Sequence, residues 1–281
     1  MKDYHKLENE LFARWEAKSK RLEIEKGRLG EDYCKSTDVI PDGMMYRGDF
    51  IFQDNNDWDR KCGDEYIRWE KAPLRLIMLT KDNIDEWDKR HEIACNTQEQ
   101  YDNCIPAYPK FYKNYIRWIY CMLTPEIKDG LWTVKTFDDA DDFSKSMKYM
   151  INEAPLVRIN VKKQTGGASI KDNVLREYVN DYADEIIEQI SFYDANVLFS
   201  CEPHGIILSL IRERLLPDLE KFQERLFYSS SQNVLVVNYY HPSGYAYAHK
   251  DLYEWLKAEY EDFLNDERYG NFPSVNNKIL E

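Results

Sequence analysis

Residues 74–79 read LRLIML and are stopped by Thr80-Lys81-Asp82-Asn83. A short apolar run closed by polar and turn residues is what a strand buried on both faces requires. Three more runs have the same character: Leu156–Asn160 (LVRIN), Asn196–Ser200 (NVLFS) and Asn233–Asn238 (NVLVVN). Helical patterns separate them. In 173–190, Val174, Tyr178, Tyr182, Ile186 and Ile190 recur every four residues behind a capping Asp172. His204–Leu216 is ended by Pro217, and Lys250–Leu264 follows the last run. The connection between the first two runs holds two further helical segments, Lys110–Leu123 and 138–150. Strands alternating with helices predict an α/β fold on a parallel sheet.

Upstream, residues 4–28 place Leu7, Leu11, Phe12 and Trp15 at helical spacing before Gly27 and Gly30, and residues 40–71 read as loop with short elements. The expected organisation is an N-terminal helical and loop extension, 1–70, packed on a core domain of 71–281.

Of the 281 residues, 43% are hydrophobic and 32% charged, enough to build a core under a polar surface and too patterned for a disordered or fibrous chain. With 38 Lys and Arg against 51 Asp and Glu, the net charge of −13 argues against nonspecific coating of nucleic acid and leaves room for a local basic site. The sequence contains no membrane-length apolar stretch, and MKDYHKLENELF lacks the apolar centre of a signal peptide, so a cytoplasmic location is expected. Six cysteines without a C-x-x-C pair read as reduced thiols and give no support to a metal cage, so neither a metal nor a cofactor is expected.

In an open parallel sheet, ligands bind beyond the carboxyl ends of the strands. The residues there are Thr80-Lys81-Asp82-Asn83, Asn160 with Val161-Lys162-Lys163-Gln164-Thr165-Gly166-Gly167, Cys201-Glu202-Pro203-His204-Gly205, and Tyr239-Tyr240-His241-Pro242-Ser243-Gly244. In this order, LTKDN, VRIN and YHPSG each end a separate strand, and over about residues 74–264 the chain resembles the uracil-DNA glycosylase superfamily. The resemblance implies a three-layer α/β/α domain on a central four-stranded parallel sheet. It sets Asp82 on the water-activating Asp, Asn160 on the base-reading Asn, and His241, Pro242 and Ser243 on the closing motif. The implied activity is hydrolysis of the N-glycosidic bond of uracil or a related base in single- or double-stranded DNA, without a metal.

Such a cleavage builds positive charge on the sugar and negative charge on the base, as in glycoside hydrolysis. An ionised Asp82 orients water and favours the sugar cation, and a neutral His241 donates to the base oxygen that gains charge. Asn160 offers one acceptor beside one donor, matching a pyrimidine edge. Flipping the base out costs a few kcal/mol, recovered by stacking and phosphate contacts. Trp87 is the stacking candidate. Lys162 and Lys163, in an acid-free stretch with Lys171, and Ser243 with the amides of Gly244 and Tyr245, are the phosphate candidates.

Each residue also has a plainer role: Asp82 as a helix cap, with Asp85 and Glu86 as competitors for catalysis, His241 as a strand terminator, Asn160 as a turn former, and the lysines as a solvated face. The chain departs from the family where Thr80-Lys81 precedes and Asn83-Ile84 follows the Asp, which puts base specificity in doubt. Tyr245 and Tyr247 stand where relatives carry an apolar wedge. The alternative is a binding module for nucleic acid or a nucleotide that keeps the fold without turnover. An unrelated nucleotide-handling enzyme is disfavoured because the sequence carries no Walker or dinucleotide glycine motif.

Overall fold

A computed structural model describes residues 2–29, 33–52, 58–81, 87–91, 94–166, 170–244, 247–270 and Phe272. The four apolar runs form strands β2 (Leu76–Thr80), β3 (Leu156–Asn160), β4 (Val197–Ser200) and β7 (Val234–Asn238), and all four are parallel in the order β3-β2-β4-β7. Alternate residues of these strands feed opposite faces. Leu76, Met78, Phe199, Leu235 and Val237 enter one apolar core, and Ile77, Leu79, Leu198, Val234 and Val236 enter the other. A sheet buried on both sides needs a helical layer on each, and the chain supplies them.

The first layer contains α3 (Pro109–Leu123), α4 (Phe143–Asn152) and α8 (His249–Asn265). The second contains α1 (Tyr4–Lys26), α5 (Asp172–Asp181), α6 (Ala183–Phe192) and α7 (Ile206–Arg214), with Trp69 of α2 (Glu65–Lys71) packed beneath α1. The α/β class stands, but the sheet has seven strands instead of the expected four. Three antiparallel strands extend it: β1 (Gly43–Met44) along β3, and β6 (Leu226–Ser229) along β7, followed by β5 (Glu220–Lys221). Strand β1 thus covers the β3 edge at Val157 and Arg158, which would otherwise present unpaired backbone groups. The helix expected over 173–190 is broken at Tyr182, whose ring stacks 4.4 Å from Tyr178 and 5.4 Å from Trp15 and whose hydroxyl lies 2.9 Å from Ser19 Oγ.

Charge is buried where α1, β1 and β3 meet. Lys163 Nζ donates to Asp42 Oδ1 at 2.5 Å, with both side chains fully buried. Asp42 also accepts from the Asn160 N–H (2.8 Å) and from Gln189 Nε2 on α6 (2.9 Å). Burial pushes the Asp42 carboxyl up and the Lys163 ammonium down, each opposed by the attraction of its partner. Nearby, Glu8 of α1 reaches under β1, accepting from the Met44 N–H (2.8 Å) and the Tyr193 hydroxyl (2.6 Å). A Cβ at Gly43, where φ is +131°, would fall 2.3 Å from Glu8 Oε1, so this crossing needs glycine.

Replacing Lys163 with Met strands the Asp42 carboxylate, and urea denaturation should show a loss of about 3–5 kcal/mol. The double variant Asp42→Leu/Lys163→Met should recover part of it. A double variant no more stable than the single one would show that the pair itself is not the source of the loss.

Candidate active site

The carboxyl ends of the four parallel strands lie along one edge of the sheet, and His241 follows β7 there. Its loop is a tight turn: the Gly244 N–H donates to the His241 carbonyl (2.8 Å) and the Ser243 N–H to His241 Nδ1 (3.2 Å). Because Nδ1 accepts, the ring proton of the neutral imidazole sits on Nε2, which is left as a donor. Asn114 of α3 holds the turn from behind, its Nδ2 donating to the Pro242 carbonyl at 2.8 Å.

Burial, reinforced by the positive charges of Lys81 and Arg158, pushes the His241 imidazole down to about 4. The histidine is therefore neutral at physiological pH. The two cations come from different strands: Lys81 directly follows β2, and Arg158 lies within β3, two residues before Asn160. The Arg158 guanidinium sits 5.1 Å from the Phe111 ring and 5.7 Å from Tyr115, and Phe111 lies 5.9 Å from His241. These contacts bring β2, β3, α3 and the β7 loop together around one imidazole. A neutral N–H donor among fixed positive charges, in a partly dehydrated place, stabilises an oxygen that gains negative charge.

On the other flank, Asp172 at the start of α5 lies 3.9 Å from Lys81 Nζ and 3.7 Å from His204 Nε2. Glu202, fully buried, accepts from the backbone N–H groups of His204 (2.6 Å) and Ile206 (2.5 Å), which fixes the turn into α7.

Asp82 and Tyr245 lie outside the described residues, as do Asp85 and Glu86. Asn160 does end β3, fully buried, with Thr80 Oγ1 donating to its side-chain oxygen, so that acceptor already serves a neighbouring strand. Trp87 is half-buried against the α3-side core. Lys162 and Lys163 are not phosphate contacts on a solvated face. Both are buried, Lys162 Nζ donating to the Gln164 carbonyl (2.8 Å) and Lys163 to Asp42. The Gly244 amide departs from the expectation, since it is spent on the His241 carbonyl inside the turn. Tyr247 is exposed, its ring 5.3 Å from Tyr240 and 5.0 Å from Trp255, at a groove of about 330 Å³.

Sequence reasoning passed over Arg158, Phe111, Asn114 and Lys81. The signal for Arg158 was legible: an arginine in a strand otherwise buried on both faces must find partners for its charge. No family model, curated protein or solved structure matches the chain. Among the described residues, no helix is long and apolar enough to cross a membrane.

An NMR titration should place the His241 midpoint near 4, and Lys81→Met should raise it. Unfolded chain takes up this proton below about 6.5 and folded chain only near 4, so His241 costs stability as pH falls through that window. A midpoint at the ordinary histidine value would contradict the buried cationic surroundings.

Proposed function

We propose that the chain hydrolyses an N-glycosidic bond, removing uracil or a related base from DNA at the edge where the parallel strands end. The observation that carries the reading is the state of His241: neutral, protonated at Nε2, and in the field of Arg158 and Lys81. The departing base becomes an anion, and such an anion is stabilised by an N–H donor and two cations. An imidazolium would hand over its proton instead of sharing it. In this reading Asp82, next in sequence to Lys81, is the water-orienting carboxylate. Asn160, at the end of β3, is the base reader in this reading, its amide offering one acceptor beside one donor.

Burial of Lys162 and Lys163 removes two phosphate contacts from this scheme, and that observation favours a second reading, a site that holds a free nucleobase or nucleotide without turnover. A labelled oligonucleotide with one uracil, incubated with protein and then treated with alkali, separates the two. Strand scission is expected from the wild type, reduced roughly 100- to 1,000-fold in His241→Ala and at least as strongly in Asp82→Asn. Absence of scission on single- and double-stranded uracil substrates, together with calorimetric binding of uracil or deoxyuridine monophosphate, would establish the second reading.

A further inference from the structure

Away from this site, His5, Cys62 and Glu65 bring a nitrogen, a sulfur and a carboxylate oxygen within 4.8 Å of one another. From the donor set and its supports we infer a binding site for a zinc-type divalent ion, with His5 Nε2, Glu65 Oε1 and Cys62 Sγ as ligands and the fourth position open to solvent. Tetrahedral zinc, with nitrogen and oxygen ligands at about 2.1 Å, sets those two atoms roughly 3.4 Å apart. His5 Nε2 and Glu65 Oε1 are 3.2 Å apart.

Each ligand is held by a second contact. His5 Nδ1 lies 3.0 Å from Glu8 Oε2, so Nδ1–H donates to a buried carboxylate and Nε2 is left as the ligating lone pair. Glu65 Oε2 accepts from the N–H groups of Arg47 (3.1 Å) and Gly63 (2.8 Å), which fixes the direction of Oε1. The residue before Cys62 is paired with the preceding loop, the Gly48 N–H donating to the Lys61 carbonyl at 2.9 Å and the Lys61 N–H to the Asp49 carbonyl at 3.2 Å. A Cβ at Gly63 would fall 2.5 Å from the Gly48 nitrogen, so this approach needs glycine. Cys62 itself is a free, exposed thiol, which leaves the site a route for the ion.

The competing occupant is a proton on His5 Nε2, donated to Glu65 while Nδ1–H stays on Glu8. Metal entry displaces that proton and the Cys62 thiol proton, and a dication then balances one thiolate and one carboxylate. Glu8 keeps Arg90 at 3.3 Å as its counter-charge. Because His5 belongs to α1, Cys62 to the loop before α2 and Glu65 to the first turn of α2, the ion fastens the N-terminal helix to the core.

The test is titration of the chelator-treated full chain with Co(II), read by absorption, and with Zn(II), read by thermal denaturation. One equivalent of cobalt should give visible bands of tetrahedral intensity and a thiolate-to-metal charge-transfer band, and zinc should raise Tm. Cys62→Ser, a change at an exposed loop, should abolish the charge-transfer band, weaken binding at least tenfold and remove the zinc-dependent rise, while keeping the metal-free Tm. Binding that lacks the thiolate band, survives Cys62→Ser, or is lost in Asp172→Asn, which removes the other His-carboxylate cluster, would overturn the assignment. So would no binding at micromolar metal.

Discussion

The Asp42–Lys163 pair is the interaction on which the arrangement of the sheet edge depends. Taking two opposite charges out of water costs several kcal/mol for each, and their attraction recovers that only when the remaining lone pairs and protons are also satisfied. Here they are: Asp42 accepts from Lys163, Gln189 and the Asn160 backbone. Such a pair contributes little net stability and a great deal of position. Any shift in the β3 terminus, in α6 or in the segment entering β1 strands a charge in the core. The pair thereby fixes where β3 ends, and with it the position from which Arg158 acts on His241.

The same logic separates the two kinds of cation at this edge. Lys163 is neutralised by a carboxylate at 2.5 Å, so it adds no field to the cleft. Arg158 and Lys81 both act at His241 and help keep its ring uncharged, although Lys81 also lies 3.9 Å from Asp172.

The four parallel strands were legible because burial on both faces leaves a compositional mark, an apolar run with sharp polar ends. Helices α3 and α8 were legible to within a residue because each presents one apolar stripe. The antiparallel margin was not. Two-residue strands such as Gly43–Met44 have no period to read, and LFYS of β6 is set between QER and SSQN without the length of its neighbours. The hairpin signal was nonetheless present there, in a polar turn ending at Asn233, which adopts a left-handed φ of 55°. Lys162 and Lys163 misled for a different reason. Lysines are usually solvated, and only a carboxylate 121 residues earlier in the chain turns Lys163 into a core residue. Cys62 likewise carries no spacing motif, since the groups around it come from residue 5 and residue 65.

The N-terminal segment is tied to the candidate site through contiguous polar contacts. His5 meets Glu8, Glu8 holds the backbone of Met44 in β1, β1 pairs with Val157 and Arg158 of β3, and Asp42 grips the amide of Asn160. Every link is buried or paired backbone, so none can loosen without exposing a charge or an unpaired donor. The long N-terminal helix is thus a structural necessity for the edge that carries His241's neighbours. Without it Glu8 is lost, β1 loses its anchor, and the β3 edge opens to water next to Arg158. The apolar core holds the sheet together, and the polar layer decides where β3 ends.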